Sequence, residues 1–482
     1  MKWPRVVLNL WCASFAGSVI AQIPTGGELS MSGAVVSEGE AILDPDKPLT
    51  KAEIEKMIAD HDQQQTEEVA AITSEDGKKS ADKKTEENKQ KKWYEKVAFR
   101  GYTQVRFNQE LFEKDLSAPA HYVGDRSVAE DQGFLIRRAR LIFFGDVHEH
   151  LSVYFLPDFA NTPTCSTDQN QFVQLRDLYG DVYMDREKEF RFRVGQSKVP
   201  YGWENMQSSQ NRMPLDRADA FNSAVRNERD LGVFFYYTPQ YAQTFFKEVV
   251  DEGLKGSGNY GVFALGTYNG QGGSLQEQND NLHVVSRLSL PYQFCSGQRM
   301  ETSLQGYIGE YVVLSSGIRP LGAGTGTFRP AGTLETGDNN GWNDKRIGAT
   351  WVWYPQPLGF QAEWNVGRGP ALNAAQTAIE DRALKGGYAM VNYKADNGMG
   401  INYPFARWSY YEGGYKTERN APFANINEWE LGNEWQINTA MELTLAYLMT
   451  DRTNTTAGTP ASVAPYQQFD GHVLRAQFQF NY

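Results

Sequence analysis

The links between the apolar-alternating segments of this chain differ in length in a regular way, and this order restricts the fold more than any other feature. Sixteen segments, the first near 98–111 and the last near 472–482, alternate apolar and polar residues as half-buried β-strands do. Short turns such as 185–188 alternate with long polar links such as 199–230, and a longer insertion near 238–259 stands among the short turns. The pattern predicts an all-β fold, a sixteen-stranded antiparallel transmembrane β-barrel with short periplasmic turns and long extracellular loops.

The composition agrees with a barrel that is polar inside. The mean hydropathy is −0.55 and aromatic residues make up 13% of the chain, which is too polar for a helical membrane protein. Beyond the first twenty residues, no apolar run approaches the 18 or so residues of a spanning helix. The final segment puts Leu474, Phe478, Phe480 and Tyr482 on one face and ends on an aromatic residue, as outer-membrane barrels commonly do.

The N-terminus has the order of a secretory signal. Lys2 and Arg5 precede a short apolar run that ends in small residues at Ala21, so we expect a signal peptide at 1–21. An N-terminal anchor helix is the weaker alternative. Residues 22–96 are expected to form a periplasmic leader with a short helical or coiled-coil part and a charged, helical or disordered tether, which leaves open a contact with the cell wall.

The barrel should then occupy 97–482, in the outer membrane of a Gram-negative-type bacterium, in contact with lipid and lipopolysaccharide. The formal net charge is −12, and no basic stripe dominates the chain. This argues against nucleic acid as a partner. Within 97–482 the basic residues are mostly arginine, whereas the leader is rich in lysine.

The stretch Phe190–Val194 shows what the arginines are for. Phe190, Phe192 and Val194 would face lipid, which turns Arg191 and Arg193 into the barrel. Arginine suits an anion path because it stays charged and its planar fork meets phosphate or carboxylate oxygens in pairs. The residues that we expect to line the pore are Arg100, Arg106, Arg138, Arg140, Arg191, Arg193 and Lys198.

An alternative is that these arginines pair with inward carboxylates and give a wall of little selectivity. Glu110, Asp146, Asp177 and Asp181 are the candidates for such pairs. Arg176 has the outward parity on its segment, so it is left out of the lining set.

The link at 201–230 carries charges of both signs and is a candidate for folding inward to narrow the pore. Its basic residues Arg212, Arg217, Arg226 and Arg229 alternate with acidic residues, as in a mixed-charge constriction. A solvated surface loop is the alternative interpretation.

Three blocks resemble the phosphate-selective porin O and P family. They are F-L-I-R-R-A-R-L-I-F-F-G at 134–145, R-V-G-Q-S-K-V-P-Y-G at 193–202 and P-F-A-R-W-S-Y-Y-E-G-G at 404–414. The resemblance spans about 97–482. It implies a sixteen-stranded trimeric anion porin with an arginine ladder along the lumen and lysines at the constriction, and Lys198 lies in the most specific block.

The leading hypothesis is therefore a porin that passes small anions such as phosphate by diffusion. A general, weakly selective porin is the first alternative. An outer-membrane barrel enzyme such as a lipid hydrolase, or a structural barrel that binds the cell wall, are others. We expect no enzyme activity, no cofactor and no metal site, because the pair His148 and His150 at a turn lacks further ligands.

Overall fold

The computed structural model describes residues 92–113, 122, 128, 133–161, 172–315, 317–318, 341–454 and 467–482. These residues belong to the unit Gln90–Tyr482. The signal peptide predicted at 1–21 and most of the leader predicted at 22–96 lie outside the described residues. The domain boundary at 97 therefore stays a prediction.

One closed antiparallel sheet of sixteen long strands forms the body of the protein, so the predicted fold class is confirmed. The first eight strands are β1 Ala98–Glu113, β2 Gly133–His148, β3 Leu151–Asn161, β4 Phe172–Tyr183, β5 Phe190–Lys198, β6 Arg229–Tyr237, β7 Phe263–Tyr268 and β8 His283–Gln293. The others are β9 Arg299–Tyr311, β10 Trp342–Trp353, β11 Leu358–Leu372, β12 Ile379–Tyr393, β13 Ile401–Gly414, β14 Phe423–Gln436, β15 Met441–Asn454 and β16 Gln467–Asn481.

The barrel closes between its first and last strands. Tyr102 of β1 lies opposite Asn481 of β16, and every strand is antiparallel to both neighbours. A two-residue extension, Ala395–Asp396, adds to the start of β13. Closure removes the unpaired edges that a sheet cannot expose to lipid.

The loop end of the barrel differs from the expectation at one long link. The sequence predicts a connection over 367–385, but β11 and β12 continue and pair as far as Leu372 opposite Ile379. The connection itself is only the turn between these two residues. The hairpin extends because backbone pairing does not need an apolar face once the strands have left the membrane.

Helical structure is short and lies in two segments. The connection at 199–228, which we call the inner loop, contains α1 Trp203–Met206, α2 Asp219–Asn222 and a 3-10 turn at Arg226–Glu228. The connection at 238–262, which we call the periplasmic insertion, contains α3 Gln240–Asp251. In the part of the chain that the structure describes, no helix has the length and apolar character needed to cross a membrane.

The strands separate their faces as the alternation predicts. On β5, Phe190, Phe192 and Val194 are exposed on the outside, while Arg191 and Arg193 are buried inside. The apolar core is also inside the barrel, since Phe221 of the inner loop packs among interior aromatics such as Tyr388. The inner loop therefore covers the interior wall formed by β6–β9 and β12–β13.

Candidate functional site

The inner loop reaches opposite walls of the barrel interior. The backbone N–H groups of Trp203 and Glu204 donate to the carboxylate of Glu363 on β11, at 2.6 and 2.7 Å. At its other extreme, Ser209 shares a hydrogen bond of 2.7 Å with the hydroxyl of Tyr102 on β1. The loop thus lies within the barrel, and the proposed constriction has a physical basis.

One wall, formed by β13–β16, holds the inner loop by ion pairs, and we call it the paired wall. Arg407 of β13 lies 2.9 Å from Glu204 of the loop. Arg452 of β15 lies 2.6 Å from Asp219 of the loop. These side chains are almost fully buried, so each charge depends on its partner.

Asp216 of the inner loop completes this clamp at the seam of the barrel. Its carboxylate contacts Arg475 of β16 at 2.6 Å and Arg106 of β1 at 3.2 Å. Burial alone would raise the pKa of Asp216, but the guanidinium groups of Arg106 and Arg475 offset this and hold its pKa well below the usual range. Asp216 is therefore a charged anchor of the loop.

Four of the predicted lining arginines are held by the protein itself. Arg140 lies 2.8 Å from Asp158, and Arg193 makes two bonds of 2.8 Å to Asp181. Arg106 contacts Asp216, as described above. Arg191 lies 3.8 Å from Asp181 and donates to a backbone carbonyl of the periplasmic insertion. At the turn end of β1, Arg100 is exposed and donates to Gln210.

Two other predicted lining residues have neutral partners. Arg138 of β2 donates through Nη1 to the Gln104 side chain at 2.7 Å. Lys198 of β5 donates through Nζ to the carbonyls of Met206 and Gln207, at 3.0 and 2.6 Å. Both cations are buried, and neither makes an ion pair with a described residue.

The basic residues predicted for the constriction divide in the same way. Arg217 pairs with Glu228 at 2.9 Å, and Arg229, which begins β6, pairs with Asp177 at 2.9 Å. Arg212 donates only to the carbonyl of Pro214, at 3.3 Å. Arg226 lies in the 3-10 turn, near Tyr311.

Two β-bulges turn arginines inward that strict alternation assigns to the outside. The pairing of β3 with β4 passes from Asp177 to Leu175 and skips Arg176, whose charged neighbours are the interior Arg229 and Arg140. The outward assignment of Arg176 is therefore wrong, because an extra residue shifts the parity. In β2 a similar bulge brings Arg137 to within 3.9 Å of Asp216.

The result is a group of cations on one side of the interior, which we call the cationic wall: Arg138, Arg176, Lys198 and Arg212. None of the four forms an ion pair among the described residues, although Arg212 lies near enough to influence Arg138 and Lys198. Burial and the neighbouring Arg217 lower the pKa of Arg212 to about 10, so it stays charged at neutral pH. Buried cations without carboxylates are costly, and an anion would relieve that cost.

The periplasmic insertion crosses the opposite end of the interior. The apolar face of α3, with Phe245 and Phe246, packs against Trp203 of the inner loop and Tyr354 after β10. Further along, Lys255 pairs with Glu434 of β14. Because β14 is eight strands from β6 in a barrel of sixteen, the insertion spans the diameter of the periplasmic mouth.

Within the described ranges, no three His, Cys, Asp or Glu side chains come together as metal ligands would. The family model of phosphate-selective porin O and P matches residues 120–482. No curated protein sequence matches the chain.

Solved structures of outer-membrane channels resemble the chain at low sequence identity. One is OmpF of Salmonella typhi in complex with daunomycin, with 11% identity, a TM-score of 0.48, and coverage of 80% of this chain and 97% of that chain. Another is the outer membrane channel DcaP of Acinetobacter baumannii, with 11% identity, a TM-score of 0.46, and coverage of 80% and 97%. A third is the anion-selective porin from Comamonas acidovorans, with 11% identity, a TM-score of 0.44, and coverage of 80% and 99%.

The family match covers most of the barrel, including the bulged strands, the inner loop and the closing strand β16. The chain therefore belongs to the phosphate-selective porin O and P family, and it is an outer-membrane porin.

Proposed function

We propose that this porin passes small anions, phosphate among them, through the space between the inner loop and β2–β5. The observation that carries this proposal is the cationic wall, whose four buried cations have no carboxylate partner among the described residues. Fixed cations in a confined, low-dielectric passage raise the local concentration of anions.

The arrangement also provides steps along a path. The exposed Arg100 lies at the turn end, Arg191 and Arg193 follow along β5, and Lys198 ends β5 beside the inner loop. Conduction needs sites that bind an anion and then release it to the next. The arginines that already have carboxylates would hold an anion weakly, and those of the cationic wall would hold it more strongly.

A reversal potential tests the proposal. In a planar bilayer with a KCl gradient, the wild-type porin should show an anion preference, and Arg138→Ala with Arg212→Ala should reduce it. Lys247→Ala is the control, because Lys247 is an exposed residue of α3 outside the lumen. A cation preference of the wild type would overturn the proposal.

Phosphate preference needs its own measurement. Adding millimolar phosphate should block the chloride current of the wild type more strongly than adding sulfate does. The double variant should lose this difference if the cationic wall discriminates between the anions. Equal block by the two anions would leave a porin for anions in general and overturn the phosphate part.

A general diffusion porin with weak selectivity is the second candidate. The ion pairs of Arg106, Arg140 and Arg193 favour it, because a paired arginine contributes little net field. A reversal potential near zero, unchanged by the double substitution, would support this function. The family points to a channel in either case and not to an enzyme.

We further propose that the porin is a homotrimer, as its family resemblance implies. Unheated protein on a denaturing gel should migrate as three chains, and cross-linked protein should have three times the mass of one chain. A single-chain mass under both conditions would contradict the trimer. The contact of residues 22–96 with the cell wall stays a prediction.

A further inference from the structure

The lipid-facing surface of the barrel carries lysine and arginine at one place only. Among the outward-facing positions of the described strands, these residues are Lys345 on β10, Arg368 on β11 and Lys385 on β12, which are three adjacent strands. The outward faces of β1–β8 have no charged residue in the described part of the chain. Such a concentration on one short arc needs a physical explanation.

The strand register brings two of these cations directly together. Lys345 lies opposite Arg368, and Val366, two residues from Arg368 on the same face, lies opposite Lys385. Like charges directly opposite each other on antiparallel strands are destabilising. The pair is therefore unfavourable unless an anion lies between or above the two side chains.

The carboxylates nearby do not satisfy this pair. Arg368 uses Nε and Nη2 for Asp381, at 3.2 Å and 3.0 Å, which leaves Nη1 without an acceptor in the described residues. Lys385 pairs with Glu412 at 3.0 Å. Lys345 is exposed and makes no ion pair within the described ranges. One full positive charge and one guanidinium N–H group therefore remain available.

Neighbouring side chains fix the height of this group in the membrane. Toward the turn end from Arg368, Trp364 of β11 stacks on Tyr410 of β13 with ring centroids 6.2 Å apart and planes at 5°. Rows of aromatic residues mark the membrane–water interface of outer-membrane barrels. Lys345 and Arg368 lie on the loop side of this row, where the outer leaflet has its head groups.

We propose that Lys345 and Arg368 bind a phosphate group of an outer-leaflet glycolipid, lipopolysaccharide. The phosphate would accept from Lys345 Nζ and from Arg368 Nη1, and the acyl chains would lie along Ile347, Val366 and Trp364. Outward-facing cations near the lipid head groups contribute attraction to anionic lipids. The site depends on the outer-membrane location and not on the ion selectivity of the lumen.

Lipid binding to the purified, folded porin tests this site. Native mass spectrometry of the porin with added diphosphoryl lipid A should show bound lipid, and Lys345→Ala with Arg368→Ala should weaken binding at least ten-fold. Dephosphorylated lipid A should bind the wild type as weakly as diphosphoryl lipid A binds the double variant. Lys188→Ala, which removes an exposed cation from the turn end, should bind like the wild type.

Two further outcomes keep the test decisive. The charge-preserving variant Lys345→Arg with Arg368→Lys should retain most of the binding, which a purely structural role of these residues would not explain. Inorganic phosphate that displaces the lipid at equal concentration would point to a site for free anions and overturn the lipid assignment. Unchanged lipid affinity of the folded double alanine variant would overturn the whole proposal. The reversal potential of that variant should equal that of the wild type, so the lumen is tested separately.

Discussion

The paired wall and the cationic wall use the same residue type for different purposes. On the paired wall, Arg407 and Arg452 meet carboxylates that the inner loop extends toward them. On the cationic wall, Arg138 and Lys198 face loop segments that offer only amide and carbonyl oxygens. The placement of Asp and Glu on the loop therefore separates arginines that hold the structure from cations that remain available to a solute.

The strongest test of this comparison removes an anchor of the loop. Asp216→Ala should lower the free energy of unfolding by about 3–5 kcal/mol, because Arg106 and Arg475 would be left buried without their shared carboxylate. The midpoint of denaturant unfolding, followed by tryptophan fluorescence, measures this. An unchanged midpoint would show that the paired wall does not hold the loop.

The pH dependence follows from the lowered pKa of Asp216. A carboxylate whose folded pKa lies below its unfolded value stabilises the protein fully above the unfolded value. The stabilisation is lost as the pH falls through the folded value, which for Asp216 is well below the usual range. The difference in midpoint between wild type and Asp216→Ala should thus persist at mildly acidic pH and shrink only in strong acid.

A second test compares one arginine from each class on neighbouring strands. Arg193→Ala should destabilise the porin by about 3 kcal/mol or more, because it leaves the buried Asp181 without its two-bond partner. Arg138→Ala has no carboxylate to expose and should change stability by about 1 kcal/mol or less. Both should reduce anion preference, and equal losses of stability would remove the distinction between the two classes.

The periplasmic insertion extends the comparison to a third region. Lys255→Met should release the insertion from Glu434 and raise the single-channel conductance, since the chain that spans the mouth would lose its far attachment. Glu434→Gln should act in the same direction. Conductance equal to that of the wild type in both variants would mean that the insertion does not limit the flow.

The smallest effect is expected from a surface pair on the same insertion. Lys247 and Asp251 form an exposed pair one helical turn apart in α3. Lys247→Ala should leave both conductance and unfolding unchanged, because exposed pairs are screened by solvent. A clear change in either would suggest that any substitution in α3 disturbs the barrel, which would weaken the Lys255 test.

Most of the barrel could be predicted from the sequence, and the reasons are local. Alternation within each segment is a property of the strand itself, so Arg191 and Arg193 could be assigned to the interior from Phe190 and Phe192 beside them. The number of strands also followed from local signals. Pairing could not be predicted in the same way, because Asp216 and Arg475 are brought together only by the fold of the inner loop.

Two other features needed the structure. Arg176 was misassigned because one extra residue in β4 changes the parity, and a bulge leaves no clear signal in the sequence of its own strand. The carboxylates Asp177 and Asp181 were expected to pair with arginine and do so, but Asp158 and Asp216 were missed. The length of the insertion was visible, whereas its path across the mouth depends on the contact between Lys255 and Glu434.

The bulge at Arg176 has a consequence for how such a channel can change over evolutionary time. Deleting one residue from β4 near this position would restore strict alternation and return a single guanidinium to the lipid side, while the rest of the strand kept its partners. Inserting a residue elsewhere would do the reverse. A one-codon insertion or deletion could therefore alter the charge inside the barrel without any amino-acid replacement, so ion preference can diverge between relatives whose aligned residues are identical.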